Sequence, residues 1–218
     1  MLRQQRLRER RRRVIAWSSA GVAVLVVGAI VASVILSGAK PTPSAGAVPT
    51  TPPTTAHGAA SSAPWSAPTD PSSRAKEAGL SMLTAEGTVE HIHSHLSVTV
   101  DGSTVAVPAL LGIDESAGSI SPLHTHDNSG IVHVESPVKA SFTLGQVFTE
   151  WNVALATDRI GAYSAADGHT VTVFVGGKAF AGDPASITLA DHEDIDVVVT
   201  KTGVTASAPA AFTWPSGY

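Results

Sequence analysis

The sequence predicts an α+β fold. It reads as a small, mostly antiparallel β domain of hairpins with one packed helix, preceded by a single transmembrane helix and a disordered Pro/Ser/Thr/Ala stalk. Three observations carry this reading: an uncharged run of 23 residues near the N-terminus, a following segment dominated by small residues and proline, and alternating apolar stretches closed by turn residues. The boundaries that follow are 1–13 for a basic cytoplasmic tail, 14–36 for the transmembrane helix and 37–72 for the extracytoplasmic linker. They continue as 73–202 for a globular histidine-rich α+β domain and 203–218 for a C-terminal tail.

Residues 1–13 hold seven arginines and one glutamate. Residues 14–36, VIAWSSAGVAVLVVGAIVASVIL, carry no charge, and a bilayer core needs about 20 apolar residues in a helix. Arg10 to Arg13 precede the run and only Lys40 follows closely. The positive-inside rule then predicts a single-pass plasma-membrane protein, N-terminus cytoplasmic and C-terminal domain outside. A cleaved signal peptide is the competing reading, but its apolar region usually runs only about 7–15 residues. The membrane is therefore one expected partner, through the N-terminal helix.

Eight of the fourteen prolines fall in residues 37–72. Such a composition offers little apolar area to bury and favours extended polyproline-like backbone. At about 3.1 Å per residue the segment reaches up to roughly 110 Å when fully extended. Beyond Lys40 the chain has six basic and seventeen acidic residues, a balance of −11. This exterior has no basic footprint for nucleic acid. There is no cysteine, so disulfides and thiolate metal sites are excluded.

A short helix is predicted over Arg74 to Met82. Leu96 to Val107 is the first hairpin, with Asp101-Gly102 suited to a two-residue type I′ turn. That turn pairs Val100 with Ser103, Val98 with Val105 and Leu96 with Val107, and puts Leu96, Val98, Val100, Val105 and Val107 on one apolar face. A second hairpin runs from Thr170 to Ala181 around Gly176-Gly177, with Val171, Val173, Val175 and Phe180 on one face. Ile187–Leu189 and Ile195–Val199 add short strands. The helix is predicted from Thr143 to Asn152: Thr143 and Gln146 form a capping box, Phe142 and Val147 a staple, and Leu144, Val147, Phe148 and Trp151 a core-facing stripe. A β-grasp-like arrangement and a small sandwich both fit. In the tail, Phe212, Trp214 and Tyr218 predict that the chain folds back on the domain.

Six of the nine histidines lie in two short stretches, EHIHSH (residues 90–95) and LHTHDNSGIVHVE (residues 123–135). On a strand, residues i, i+2 and i+4 share a face. His91, His93 and His95 then face away from Ile92 and Leu96. If Asp127–Gly130 forms a four-residue loop, His124 sits opposite His133, and His124, His126, His133 and Glu135 share the non-core face. Directly opposed residues have Cβ atoms about 4.5–5.5 Å apart, close enough for two imidazoles to hold one ion. Imidazole on a rigid strand suits a divalent transition metal, zinc or copper(II) first, and the absence of thiolates disfavours copper(I). His124, His126, His133, His91, His93 and His95 are accordingly the candidate ligands. EHIHSH is either a second site or part of the same one. Asp127 reads as a turn-former, and His57, His169 and His192 lie outside the clusters.

Three functional readings follow. The first is a membrane-tethered extracytoplasmic module that binds or senses a metal. The second is a metal-dependent hydrolase or hydratase with a three-histidine centre. The third is a structural or protein-interaction domain at the envelope, its histidine face a hydrogen-bonded, pH-responsive contact surface. At HIHSHLSVTVDG, SPLHTHDNSGIVHVESP and FTLGQVFTEWNV the chain also resembles an uncharacterised family of exported, membrane-anchored bacterial proteins of actinobacterial type. The resemblance covers about residues 80–200. It implies secretion and a shared domain, and no activity.

Overall fold

The core is organised by strands whose alternation is that of the sequence. The structure, a computed structural model, describes residues 48–218. Helix α1 (Pro71–Glu77) is followed by β1 (Glu90–Val100), β2 (Ser103–Val105), β3 (Ile113–Asp114), β4 (Ser119–Ile120), β5 (Leu123–His124) and β6 (Ile131–Ser136). Then come α2 (Leu144–Trp151), β7 (Leu155–Ala156), β8 (Arg159–Ile160), β9 (Tyr163–Ser164), β10 (His169–Val175), β11 (Lys178–Ala179) and β12 (Glu193–Lys201). Seven strands form the principal sheet in the order β11-β10-β12-β1-β6-β5, with β2 also paired to β1. Every pairing in it is antiparallel except β1 with β12, which is parallel. The fold is α+β, with one main sheet in place of the two-sheet sandwich. The predicted transmembrane helix, residues 14–36, lies outside the described residues. Among those described, no helix is long and apolar enough to cross a membrane.

The first hairpin closes on Asp101-Gly102, both at positive φ, with Val98 opposite Val105 and Val100 opposite Ser103. Glycine and aspartate tolerate that backbone at little cost, which fixes the register. Leu96, Val98, Val132, Val134, Val173, Ile195, Val197 and Val199 are buried on one sheet face. Helix α2 packs there with Leu144, Val147, Phe148 and Trp151, all buried. Its capping box is complete: Gln146 N donates to Thr143 Oγ1, and Thr143 N donates to Gln146 Oε1 at 3.1 Å. Asn152 ends the helix in the left-handed conformation.

Several expectations need correction. Helix α1 begins earlier and ends earlier than Arg74–Met82: Pro71 occupies the first turn, where its missing N–H costs nothing, and Gly79 at φ 76° stops the helix. Phe180 does not join the core, because the hairpin strand ends at Ala179 and leaves the ring exposed. Ile187 and Leu189 are buried, but only Thr188 pairs, in a single bridge to Thr143.

The largest departure concerns the linker. Residues 48–70 do not stand off as an unfolded stalk; they run along the domain beside α2. Trp65 is 6% exposed and meets Trp151 and Tyr163 edge-on, with ring centroids 5.6 and 6.2 Å apart. Trp151 Nε1 donates to Trp65 O at 3.2 Å, and Thr143 Oγ1 donates to Pro53 O at 2.5 Å. Ala59 N donates to Asn152 O and Ala154 N donates to Ala59 O, at 3.0 and 3.1 Å. An extended proline-rich backbone is rich in carbonyls without internal partners, and α2 and its flanks supply the donors. One buried tryptophan supplies apolar area that average composition hides.

Trp65→Ala should therefore destabilise the domain by about 3–5 kcal/mol, as deletion of a large buried aromatic does. Urea denaturation of the full chain followed by far-UV circular dichroism checks this. An unfolded linker would give no change.

Candidate metal centre

The histidine face is built by placing β6 between β1 and β5. On one side His133 is in register with His93, and Glu135 with His91. On the other, His133 is in register with His124. Three imidazoles thus lie in a row across three adjacent strands. Ring centroids are 4.6 Å apart for His93 and His133, and 5.1 Å for His124 and His133. His126, two residues beyond His124, closes on both: 4.5 Å from His133 and 4.8 Å from His124. The Asp127–Gly130 turn holds this corner. Ser129 N donates to Asp127 Oδ1 at 2.8 Å, and Gly130 takes φ 87° where a Cβ would strike Leu96 O at 2.4 Å.

Two groups of ligand atoms result. One from each of His124, His126, His133 and Glu135 lie within 4.8 Å of one another, and so do one from each of His91, His93 and Glu135. A tetrahedral ion with bonds near 2.0–2.1 Å sets its ligand atoms about 3.4 Å apart. Closing either group around an ion therefore takes side-chain movements on the order of 1 Å. These buried His/Glu groups could hold a metal ion. Glu135 belongs to both groups: its Oε1 is 3.1 Å from His133 Nδ1, 3.5 Å from His91 Nε2 and 4.0 Å from His124 Nε2.

His124 is the most constrained member. It is 1% exposed, and its Nδ1 lies 3.0 Å from Ser121 O. A carbonyl only accepts, so Nδ1 carries the proton and Nε2 keeps its lone pair. That Nε2 is buried and has no hydrogen-bond partner. Behind the ring, a crevice lined by Leu111, Leu123, Val132, Val147 and Glu150 has no room for a water molecule. A buried, bare imidazole nitrogen beside two further imidazoles and a carboxylate is an arrangement that could hold a metal ion.

The electrostatics agree. Burial pushes the His124 pKa down to about 3, so the ring is neutral at pH 7. Burial, with His133 and His91 alongside, pushes His93 down to about 4. His126 is lowered by burial and by His133. Burial raises Glu135, but the His133 hydrogen bond and the surrounding imidazoles outweigh it and hold the carboxylate below its ordinary range. Neutral imidazoles and an ionised carboxylate are the forms that bind metal.

The structure places the other sequence candidates as follows. His91 and His93 adjoin the centre through Glu135. His95 joins neither group: its Nδ1 meets Asp194 Oδ1 at 2.7 Å, and its ring stacks on Phe212 at 3.7 Å with an 8° tilt. The tail does fold back. Tyr218 lies over His93 and His133 at 5.0 and 5.8 Å, and Trp214 over His192 at 4.6 Å. His169 also has neighbours, Asp101 at 3.4 Å and Lys201 at 2.9 Å. Two acidic residues belong with the centre beyond the histidines. Glu135 was readable as the residue two beyond His133 on the same face. Glu86 was not: it precedes β1, and its Oε1 reaches 3.8 Å from His126 Nε2. Burial and the Glu135 carboxylate raise the Glu86 pKa.

Comparison with protein-family models, with curated proteins and with solved structures finds no match for this chain.

The buried neutral imidazoles make stability depend on pH. Their folded pKa values lie below the unfolded value of about 6.5, so the unfolded chain binds more protons between the two. Stability is full above about 6.5 and falls as pH drops toward 4 for His93 and 3 for His124. For His124 alone the loss at pH 5 is about 2 kcal/mol. In metal-free chain, denatured in urea at pH 7 and pH 5, this loss is read as the difference between wild type and the His124→Gln variant, because Glu150, pushed up to about 8 by burial, shifts stability the opposite way in both. The His124→Gln variant should lose less.

Proposed function

We propose that this chain is a membrane-tethered, extracytoplasmic module that binds a divalent transition metal, zinc or copper, and works as a metal-binding or metal-sensing element at the cell envelope. His124, His126, His133 and Glu135 form the primary site. The observation that carries the reading is the buried Nε2 of His124, which has no partner and whose tautomer is set by Ser121. Such a nitrogen is costly to bury unless something accepts its lone pair, and a cation does. Three imidazoles and a carboxylate suit zinc or copper(II), and the acidic balance beyond Lys40 favours cations generally. Envelope placement rests on the uncharged run over residues 14–36 and the arginines before it.

A second reading, a metal-dependent hydrolase or hydratase, is favoured by one observation. Glu86, its carboxyl raised in pKa, stands beside His126, where a general acid or base would stand.

The full chain, purified in detergent and stripped with chelator, should bind zinc and gain thermal stability. At 100-fold excess over the dissociation constant the gain is about 2.7 kcal/mol. His126→Ala, at the half-buried edge, should weaken binding on the order of 10–100-fold, and His124→Ala with His133→Ala should abolish it. Isothermal titration calorimetry and thermal melts make the check. A stripped wild-type chain that neither binds zinc or copper(II) nor gains stability would contradict the proposal.

A further inference from the structure

The geometry points to a second metal position, held by His91, His93 and Glu135, with the Glu135 carboxylate bridging it to the primary ion. This inference rests on the metal-binding reading above. The juxtaposition comes from strand register. Glu135 lies beside His91 and His133 beside His93 across the β1–β6 pair, so one carboxylate faces imidazoles of both strands. Its Oε1 approaches His133, His91 and His124, at 3.1, 3.5 and 4.0 Å. Its Oε2 is buried and has no hydrogen-bond partner. One hydrogen bond, with His133, leaves such a carboxylate under-satisfied, whereas two cations occupy both oxygens.

The two positions differ in access. The His124 side chain is fully buried, while that of His91 is 54% exposed. The outer position has three protein ligands and an open side, the inner one four. Charge also fits, because Glu86 adds a second carboxylate on the His126 side, 3.8 Å from its Nε2. Two carboxylates against two divalent ions leave a net positive centre that the acidic exterior offsets. The outer ion should exchange faster and leave first under chelation.

The test counts ions and measures their coupling. Stripped full-length chain is loaded with copper(II) or zinc, desalted, and assayed for metal per chain. The expected wild-type result is two ions, the second lost first to a weak chelator, and an exchange-coupled copper pair in the electron paramagnetic resonance spectrum. His91→Ala, an exposed change that leaves the core untouched, should reduce the count to one and remove the coupling. Glu135→Gln should do the same and weaken the remaining ion on the order of 10–100-fold. One ion in the wild type, unaffected by His91→Ala, would overturn the second position and leave the primary one standing. Two uncoupled copper ions would overturn the bridge. No ion in the wild type would overturn both this inference and the function it rests on.

Discussion

Everything at the centre depends on β6 being hydrogen-bonded on both sides, to β1 and to β5. That double pairing sets His133 in register with His93 and with His124, and sets Glu135 beside His91. Because strand side chains alternate, the same pairing buries Val132 and Val134 against α2. A slip of one residue in β6 would exchange the two sets, placing charge in the core and valine on the metal face. Core packing and site geometry are thus one constraint, and hydrophobic burial enforces the histidine constellation.

The polar face is closed in layers. Ser121 links two buried groups: its carbonyl accepts from His124, and its hydroxyl donates to Glu150 Oε1 at 2.5 Å. Burial pushes Glu150 up to about 8, so it is a neutral acid at pH 7. A neutral Glu150 adds no negative charge behind His124; the carboxylates near the histidines are Glu135 and Glu86, with Asp127 toward His126 and Asp191 toward His93. On the outer side the aromatic tail covers the row, Phe212 on His95 and Tyr218 on His93 and His133. The members left open to solvent are His91 and, in part, His126.

Much of this was legible in the sequence because it is local. The Asp101-Gly102 turn, the Thr143/Gln146 box and the His124–His133 opposition each depend on residues close in sequence or on simple parity. What was not legible is long-range. Nothing in EHIHSH or in LHTHDNSGIVHVE says that β1 pairs with β6, and that pairing alone makes Glu135 common to both clusters. Glu86 sits in a loop with no periodicity to place it. Composition does not show that residues 48–70 pack on the domain, because it averages over Trp65, the residue buried against Trp151. His95 shared the expected face, but Asp194 on β12 and Phe212 in the tail engage it first.

Ser121 holds His124 with its proton on Nδ1 and a bare, buried Nε2, the form in which a neutral imidazole takes a metal. Long-range ¹H–¹⁵N spectra of the imidazoles in the metal-free full chain at pH 7 test it most directly. His124 is expected to be neutral, with its proton on Nδ1 and a bare Nε2, and zinc to shift the Nε2 resonance while Nδ1 keeps its proton. A proton on Nε2 in the metal-free chain, or an Nε2 signal indifferent to zinc, would contradict it.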